Sequence, residues 1–292
     1  MQILHFGDIH VWRWRVAADF LYPKRFLGLI NLGLRRRFRF PHELAPEVAS
    51  AIVEQDADYV VFSGDMTTMS LRKEFEESAA LFEPIVNKWG TERFFCIPGN
   101  HDRYTPRSVR QGDYEKFFPY GAFPKGKLVR SQPVVDGLVC VGFDCSHPCR
   151  VRSNGTVSED LEKQLEAQLQ EHADAGRAVL LVGHYPAVYP PSIHAAWEHR
   201  LLEPERLVAL IERFSPRVYF HGHKHVRWAI RDASTPDTLH LNCGAAGMVS
   251  DDPMKHAGFV RVELDESDGF KPIALERWTH GEGWQPMALP EA

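Results

Sequence analysis

The stretch Ile3-Leu4-His5-Phe6-Gly7-Asp8-Ile9-His10 reads as a short strand that runs into a glycine, then a carboxylate and an imidazole two positions apart. Side chains at i and i+2 of an extended backbone point the same way, so Asp8 and His10 are expected to reach one ion. In a chain with 15 histidines such a pair also arises by accident. Recurrence gives it weight. Gly64-Asp65 closes a strand read from Tyr59, and Gly99-Asn100-His101-Asp102 follows Phe94–Ile97. Gly183-His184 follows Val179–Val182, and Gly222-His223-Lys224-His225 follows Val218–Phe220. Each group sits at the C-terminal end of a predicted strand, the edge at which open α/β sheets bind ligands. Taken singly, each motif reads as a turn, a cap or a structural histidine. Five of them on one sheet edge do not.

Further strands are predicted at Leu138–Phe143, Leu239–Asn242 and Phe259–Leu264, with weaker ones at Val226–Arg231 and Pro272–Arg277. Helices are predicted where apolar residues recur at helical spacing. One carries Leu44, Val48 and Ile52. A second carries Leu71, Phe75 and Phe82, and Pro84 is expected to end or kink it. A third carries Leu161, Leu165 and Leu169 behind an N-cap at Ser158, and a fourth carries Leu207, Leu210, Ile211 and Phe214 behind Pro204. Helices dominate the early connections and strands the last quarter, which predicts an α/β sandwich. No linker interrupts the pattern, so residues 1–292 are read as a single domain.

The candidate ligands are two carboxylates (Asp8, Asp65), four imidazoles (His10, His184, His223, His225) and one amide (Asn100). Such mixed nitrogen and oxygen donors suit Mn, Fe, Zn, Co or Ni better than an all-oxygen cage for Ca or Mg. Seven ligands are too many for one catalytic ion with an open position. They suit two ions sharing a carboxylate.

In this order, from Asp8 to His225, the motifs resemble the signature of the calcineurin-like metallophosphoesterases. The resemblance implies an αββα sandwich of two mixed β-sheets flanked by helices. It implies that Asp8, His10 and His225 hold a first metal, that Asp65 bridges, and that Asn100, His184 and His223 hold a second. It makes His101 the non-ligand histidine beside the scissile phosphate. Attack by a hydroxide shared between the ions is expected, with a protonated His101 supplying the proton of the leaving group. Asp102 either supports that imidazolium or caps its loop. The Ser/Thr protein phosphatases carry a later Asp-Arg after the second motif, and Met66-Thr67-Thr68-Met69-Ser70 lacks it. The Asn100-His101-Asp102 version is closer in style to class III cyclic-nucleotide phosphodiesterases. The expected reaction is hydrolysis of a small phosphodiester or pyrophosphate-linked substrate: a cyclic nucleotide, a nucleotide conjugate or a phospholipid. A phosphomonoesterase and a non-catalytic metal-binding scaffold stay open as alternatives.

The unusual segment is Val11–His42, a basic and aromatic insertion with eight cations and one acid, Asp19, in a chain of net charge −5. Trp12, Trp14, Phe20, Tyr22, Phe26, Phe38 and Phe40 are interleaved, and Leu27–Leu34 is apolar. Three roles fit: an ordered cap with solvated charges, a lid whose arginines grip a polyanionic substrate, or an amphipathic element on anionic membrane. The acidic remainder disfavours nucleic acid. His194, His199, Arg200 and Tyr104 are softer substrate contacts, and His221 is read as structural.

With 44% hydrophobic and 25% charged residues the composition is that of an ordinary globular protein. Five cysteines match no zinc or redox spacing and are expected as reduced thiols. The first strand leads straight to Asp8, leaving no room for a cleaved leader, so the expected compartment is the cytoplasm, peripheral at the inner membrane face if the insertion binds lipid.

Overall fold

In a computed structural model that describes residues 1–14, 22–194 and 196–291, the strands in chain order are β1 (Gln2–Phe6), β2 (Tyr59–Phe62), β3 (Phe94–Cys96), β4 (Val129–Val135), β5 (Leu138–Phe143), β6 (Gly155–Thr156), β7 (Ala178–Val182), β8 (Leu201–Leu202), β9 (Val218–His221), β10 (Arg227–Asp232), β11 (Thr235–Cys243), β12 (Gly258–Asp265), β13 (Lys271–Thr279) and β14 (Gly283–Met287). The helices are α1 (Pro23–Asn31), α2 (Arg37–Arg39), α3 (Leu44–Val53), α4 (Arg72–Trp89), α5 (Pro106–Gln111), α6 (Asp113–Phe117), α7 (Glu159–Asp174) and α8 (Pro204–Phe214). Arg15 and Phe20, counted in the basic and aromatic segment, and its one acid, Asp19, lie outside the described residues.

One sheet runs β14-β13-β12-β1-β2-β3 and the other β10-β11-β9-β7-β5-β4. Each is mixed: β1-β2-β3 and β11-β9-β7-β5 are parallel, and the flanking strands are antiparallel. Successive strand residues face opposite sides, so each sheet supplies two cores. Ile3, Tyr59, Val61 and Phe95 meet Leu180, Val182, Val218 and Phe220 between the sheets. The other faces of the first sheet carry Leu4, Phe6, Val60 and Phe62 under α3 and α4. Val141, Phe143, Val179 and Leu181 lie under α7 and α8. The result is the αββα sandwich. It brings the C-terminal ends of β1, β2, β3, β7 and β9 to one edge.

Of the two outcomes expected at Pro84, ending the helix does not occur, since it runs on to Trp89. Pro84 lies on the exposed side, while buried Phe82, Ile85 and Trp89 anchor the turn around it to the sheet. The strands β4 and β14 were absent from the sequence reading. Both are sheet edges that contain proline (Pro133, Pro286), and edge strands need no continuous apolar pattern. Ser158 caps α7 by accepting the N–H of Leu161, and Pro204 opens α8, as expected. The five cysteines are free thiols, four of them buried.

Val11–His42 contributes a helix that sequence reading did not assign. α1 passes through a π-helical turn, Leu32–Arg36, into α2. Leu32 and Phe40 seat it on Trp12, Met69, Leu71 and Tyr104. The indole N–H of Trp12 donates to the Phe40 carbonyl at 2.6 Å, and the N–H of Val249 donates to the Arg39 carbonyl at 2.7 Å.

Below this helix, buried Glu74 accepts the N–H groups of Met69 (2.8 Å), Leu71 (3.1 Å) and Arg13 (3.2 Å). Burial pushes its carboxyl up from 4.5 to about 7, against those bonds. The native state therefore binds more protons than the unfolded chain between those values, and stability falls as pH rises through that window. Wild type should lose about 2–3 kcal/mol across it relative to Glu74→Gln, read by urea unfolding at a series of pH values. Parallel pH profiles for the two proteins would refute this.

Candidate metal centre

The candidate ligands converge at the shared strand edge, but not by the route expected. Asp8 and His10 do not lie on extended backbone. β1 has ended at Phe6, and both residues have positive φ (54° and 57°), as do Asp65 (64°), His223 (71°) and His225 (54°). Those ligands make up five of the nine non-glycine residues with positive φ among the described residues. Left-handed backbone is costly for such residues and concentrates where function demands it. The preceding glycines serve close approach. A Cβ on Gly222 would meet the Asp8 carboxylate at 2.3 Å, and one on Gly64 would meet the Gly99 backbone at 2.6 Å.

Hydrogen bonds decide which atoms face the centre. The Asp8 Oδ2 accepts the His223 N–H at 2.9 Å, leaving Oδ1 buried without a partner. That Oδ1 faces the Nε2 of His225 at 3.1 Å and of His10 at 3.6 Å. The two Nε2 atoms are 3.0 Å apart. The Asp65 Oδ1 accepts the His101 N–H at 2.7 Å, so Oδ2 remains, 3.7 Å from His10 Nε2 and 3.3 Å from His184 Nε2. One carboxylate oxygen thus looks into both halves of the site. In the second half the Asn100 Oδ1 lies 3.2 Å from His184 Nε2 and 2.9 Å from His223 Nδ1.

Main-chain carbonyls set the imidazole tautomers. His184 Nδ1 donates to the Ser63 carbonyl (2.8 Å), His223 Nε2 to the His199 carbonyl (2.6 Å) and His10 Nδ1 to the Thr67 carbonyl (3.3 Å). The nitrogens left facing inward, lone pairs when the rings are neutral, point at carboxylate and amide oxygens. Such convergence is repulsive unless a cation sits at its focus, so the residues fit a pair of metal ions. Asp8, His10 and His225 form one group and Asp65, His184 and His223 another, each with its ligand atoms mutually within 4.8 Å.

The electrostatics show the same demand for positive charge at the focus, met here by a proton on His184 in place of an ion. Burial pushes the Asp65 carboxyl upward, but His184, His101 and His10 outweigh it and hold it well below the usual range. Burial likewise opposes the charge on Asp8, and His225, His10 and His184 outweigh it. Burial disfavours a charged His184, yet the Asp65 carboxylate raises it to about 9.

His101 stands beside this centre as expected, but in a different state. Its Nδ1 donates to the Thr68 carbonyl at 2.5 Å, and its ring stacks on Tyr104 at 5.3 Å. The Arg36 guanidinium lies 3.2 Å from Nε2, which therefore accepts a proton rather than holding one. Burial first, and then the Arg36 charge, press the imidazole pKa well below its ordinary value. Both causes disfavour the imidazolium expected from the sequence. His101 also lies close to His10 and Asp65, but both its ring nitrogens are engaged elsewhere.

Of the two readings open for Asp102, its hydrogen bonds are those of the loop cap. It does not support the His101 ring. Its Oδ2 accepts the N–H groups of Gly99 (2.9 Å), Asp65 (2.9 Å) and Met66 (3.3 Å), and its Oδ1 accepts both the N–H and the hydroxyl of Thr67 at 2.9 Å. Burial raises its pKa to about 6, with the Asp65 charge adding and these bonds opposing. Asp102 staples the Asp65 loop to the Asn100 loop. Among the softer candidates, Tyr104 stacks on His101 and the His199 carbonyl orients His223, while buried His221 hydrogen-bonds with Asn242.

Two residues escaped individual notice. Arg36 was one of a run of three arginines, and the π-helical turn aims it inward. Lys24 is buried, its Nζ has no hydrogen-bond partner, and it sits over the Tyr104 ring at 4.5 Å. Burial lowers its pKa to about 8.

A shared carboxylate oxygen between two clusters of inward lone pairs defines a dinuclear metal centre of the hydrolytic kind. Residues 1–227 match the calcineurin-like phosphoesterases, and the chain belongs to that family. It is a metal-dependent phosphoester hydrolase. It is similar to a probable cyclic nucleotide phosphodiesterase of Rhodococcus erythropolis, 25% identical over 236 residues, or 80% of this chain and 68% of that one. A dimetal phosphatase from Danio rerio shares the fold, with a TM-score of 0.62 over 97% of this chain and 95% of that one at 13% identity.

Proposed function

We propose that the chain is a phosphodiesterase whose substrate is a small phosphodiester or pyrophosphate-linked molecule carrying negative charge beyond the phosphoryl group that reacts. The observation that carries this reading is the pair Arg36 and Lys24. Both reach toward the ligand cluster from one helix, and among the described residues neither has a carboxylate within ion-pair distance. A buried lysine and a half-buried arginine without acid partners are costly, and an anionic substrate offsets that cost. The similarity to a probable cyclic nucleotide phosphodiesterase supports the diester arm.

Asp8, His10 and His225 would hold one ion, Asn100, His184 and His223 the other, and Asp65 would touch both. Ions held there would supply Lewis acidity for activating water near neutral pH and for neutralising charge on the phosphoryl oxygens. The protein's own part is orientation. The Ser63, Thr67 and His199 carbonyls fix the imidazoles, and His101 holds the Arg36 fork beside the reacting position. Arg36 binds phosphate oxygens in two-point fashion, and Lys24 adds a point charge.

The test compares bis-p-nitrophenyl phosphate with p-nitrophenyl phosphate, and a nucleotide-linked diphosphate with both. The diester should be cleaved faster than the monoester. Arg36→Ala should raise KM for the diphosphate about ten- to a hundredfold and change KM for the simple diester far less. A preference for the monoester would favour the phosphomonoesterase reading. An unchanged KM for the diphosphate would remove Arg36 from substrate recognition.

A further inference from the structure

The helix that carries Lys24 and Arg36 is built inside out. The buried residues of α1 are Lys24 and Arg25. Its outward side carries Phe26, Leu27 and Ile30, each about half exposed, followed by Leu34 at 71% and Phe38 at 64% exposure. Positions 26, 30, 34 and 38, four apart, run along one flank of the helix. A surface helix in water ordinarily shows the reverse, apolar inside and charged outside. Six of the twelve large apolar side chains exposed among the described residues fall between Trp14 and Phe38. This is a contiguous patch rather than scattered exposure, and such patches mark interaction surfaces.

The patch is framed by cations. Arg35, Arg37 and Arg39 are exposed beside it, and residues 22–42 contain no acid. The Arg37 guanidinium lies over the Phe38 ring at 4.5 Å and near the Trp14 ring at 6.0 Å. Apolar and aromatic side chains flanked by unopposed arginines complement a surface that is apolar below and anionic above. We propose that this face docks on an anionic lipid bilayer, with Leu27, Ile30, Leu34 and Phe38 entering the acyl boundary and Arg35, Arg37 and Arg39 at the level of the phosphates. A second copy of the chain would also cover the apolar stripe. A symmetric pairing, however, sets the same arginines against each other, with no acid among residues 22–42 to offset them.

Docking has a consequence for the site. The inner flank of the same helix presents Arg36 to His101, so the metal centre would lie about one helix diameter, ~10 Å, from the bilayer. A phosphoester in a lipid headgroup would then reach it without leaving the membrane. That consequence rests on the phosphodiesterase reading. The docking itself does not.

The full chain, without substrate, is sedimented with vesicles of phosphatidylcholine alone or of equal parts phosphatidylcholine and phosphatidylglycerol. Recovery on the anionic vesicles should exceed that on the neutral ones by about tenfold or more at low salt and fall toward it at high salt. Leu34→Glu with Phe38→Glu should weaken binding to the anionic vesicles by about tenfold or more. The triple variant Arg35→Ala, Arg37→Ala, Arg39→Ala should do the same while leaving the apolar stripe intact, which guards against misfolding of the first variant. Circular dichroism checks both. Equal recovery on the two vesicle types, or undiminished binding by both variants, overturns the proposal. A dimer in light scattering that Leu34→Glu with Phe38→Glu dissociates also overturns it and gives the face to a second copy. Binding is read without turnover, so failure to sediment leaves the hydrolase reading untouched, and failure to hydrolyse leaves the docking untouched.

Discussion

Asp65→Ala should lower hydrolysis of bis-p-nitrophenyl phosphate by about a thousandfold or more, which is about 4 kcal/mol of barrier. It should also cut bound metal in both halves of the site. The reason is geometric. The Asp65 Oδ2 is the atom that faces both His10 and His184, so its removal takes a ligand from each ion position at once. It also takes away Oδ1, which holds the His101 N–H. By contrast, substituting Asn100 or His223 removes a ligand from one half. The measurement is turnover of protein stripped of metal and reloaded with manganese, beside metal content by mass spectrometry. Loss of one ion with the other at full occupancy would show that Asp65 does not bridge. Wild-type turnover that persists after stripping would count against metal dependence itself.

Asp102→Ala should destabilise the fold by about 3–5 kcal/mol, because five donors lose a buried acceptor at once. Four of those donors are backbone N–H groups, at Gly99, Asp65, Met66 and Thr67. Asp102→Asn should cost less, since its amide oxygen can still serve Thr67 while its NH2 group faces donors. Urea unfolding at neutral pH measures both. Were Asp102 an electrostatic partner of His101 instead, turnover would fall with the unfolding midpoint unchanged. That outcome would favour the other reading of Asp102, support of the His101 ring.

The ligand set was legible because each piece of it is local. A run such as Val179–Val182 can scarcely be anything but a buried strand, and the Gly-His that follows must stand at its end. Once five such ends, three from one sheet and two from the other, are placed at one edge of the sandwich, the donor types point to two metal ions. The reason given for Asp8 and His10 was nevertheless wrong. Their spacing suggested extended backbone, whereas both are left-handed. Sequence cannot show this, because the strain is sustained by contacts with β2 and its loop: the Asp8 N–H bonds to the Gly64 carbonyl at 2.9 Å and the His10 N–H to the Asp65 carbonyl at 3.1 Å. The edge strands β4 and β14 were invisible for a related reason, since the constraint that makes them strands comes from the neighbouring strand rather than from their own pattern.

The sequence by itself determined the metal-binding edge and an α/β sandwich, since residue order along strands and helices carries the alternation and the 3.6-residue period directly, and the αββα layering was implied by the resemblance of its motifs. Only the tertiary structure decided which groups surround that edge and in what state. Arg35, Arg36 and Arg37 are equivalent as letters, but the π-helical turn sends Arg36 to His101 and leaves the other two exposed. The lowered basicity of His101 comes first from its burial and then from that arginine, 65 residues away in the chain. The direction of a side chain and the charge on its neighbour are set by packing between distant segments, and spacing along one segment does not contain them.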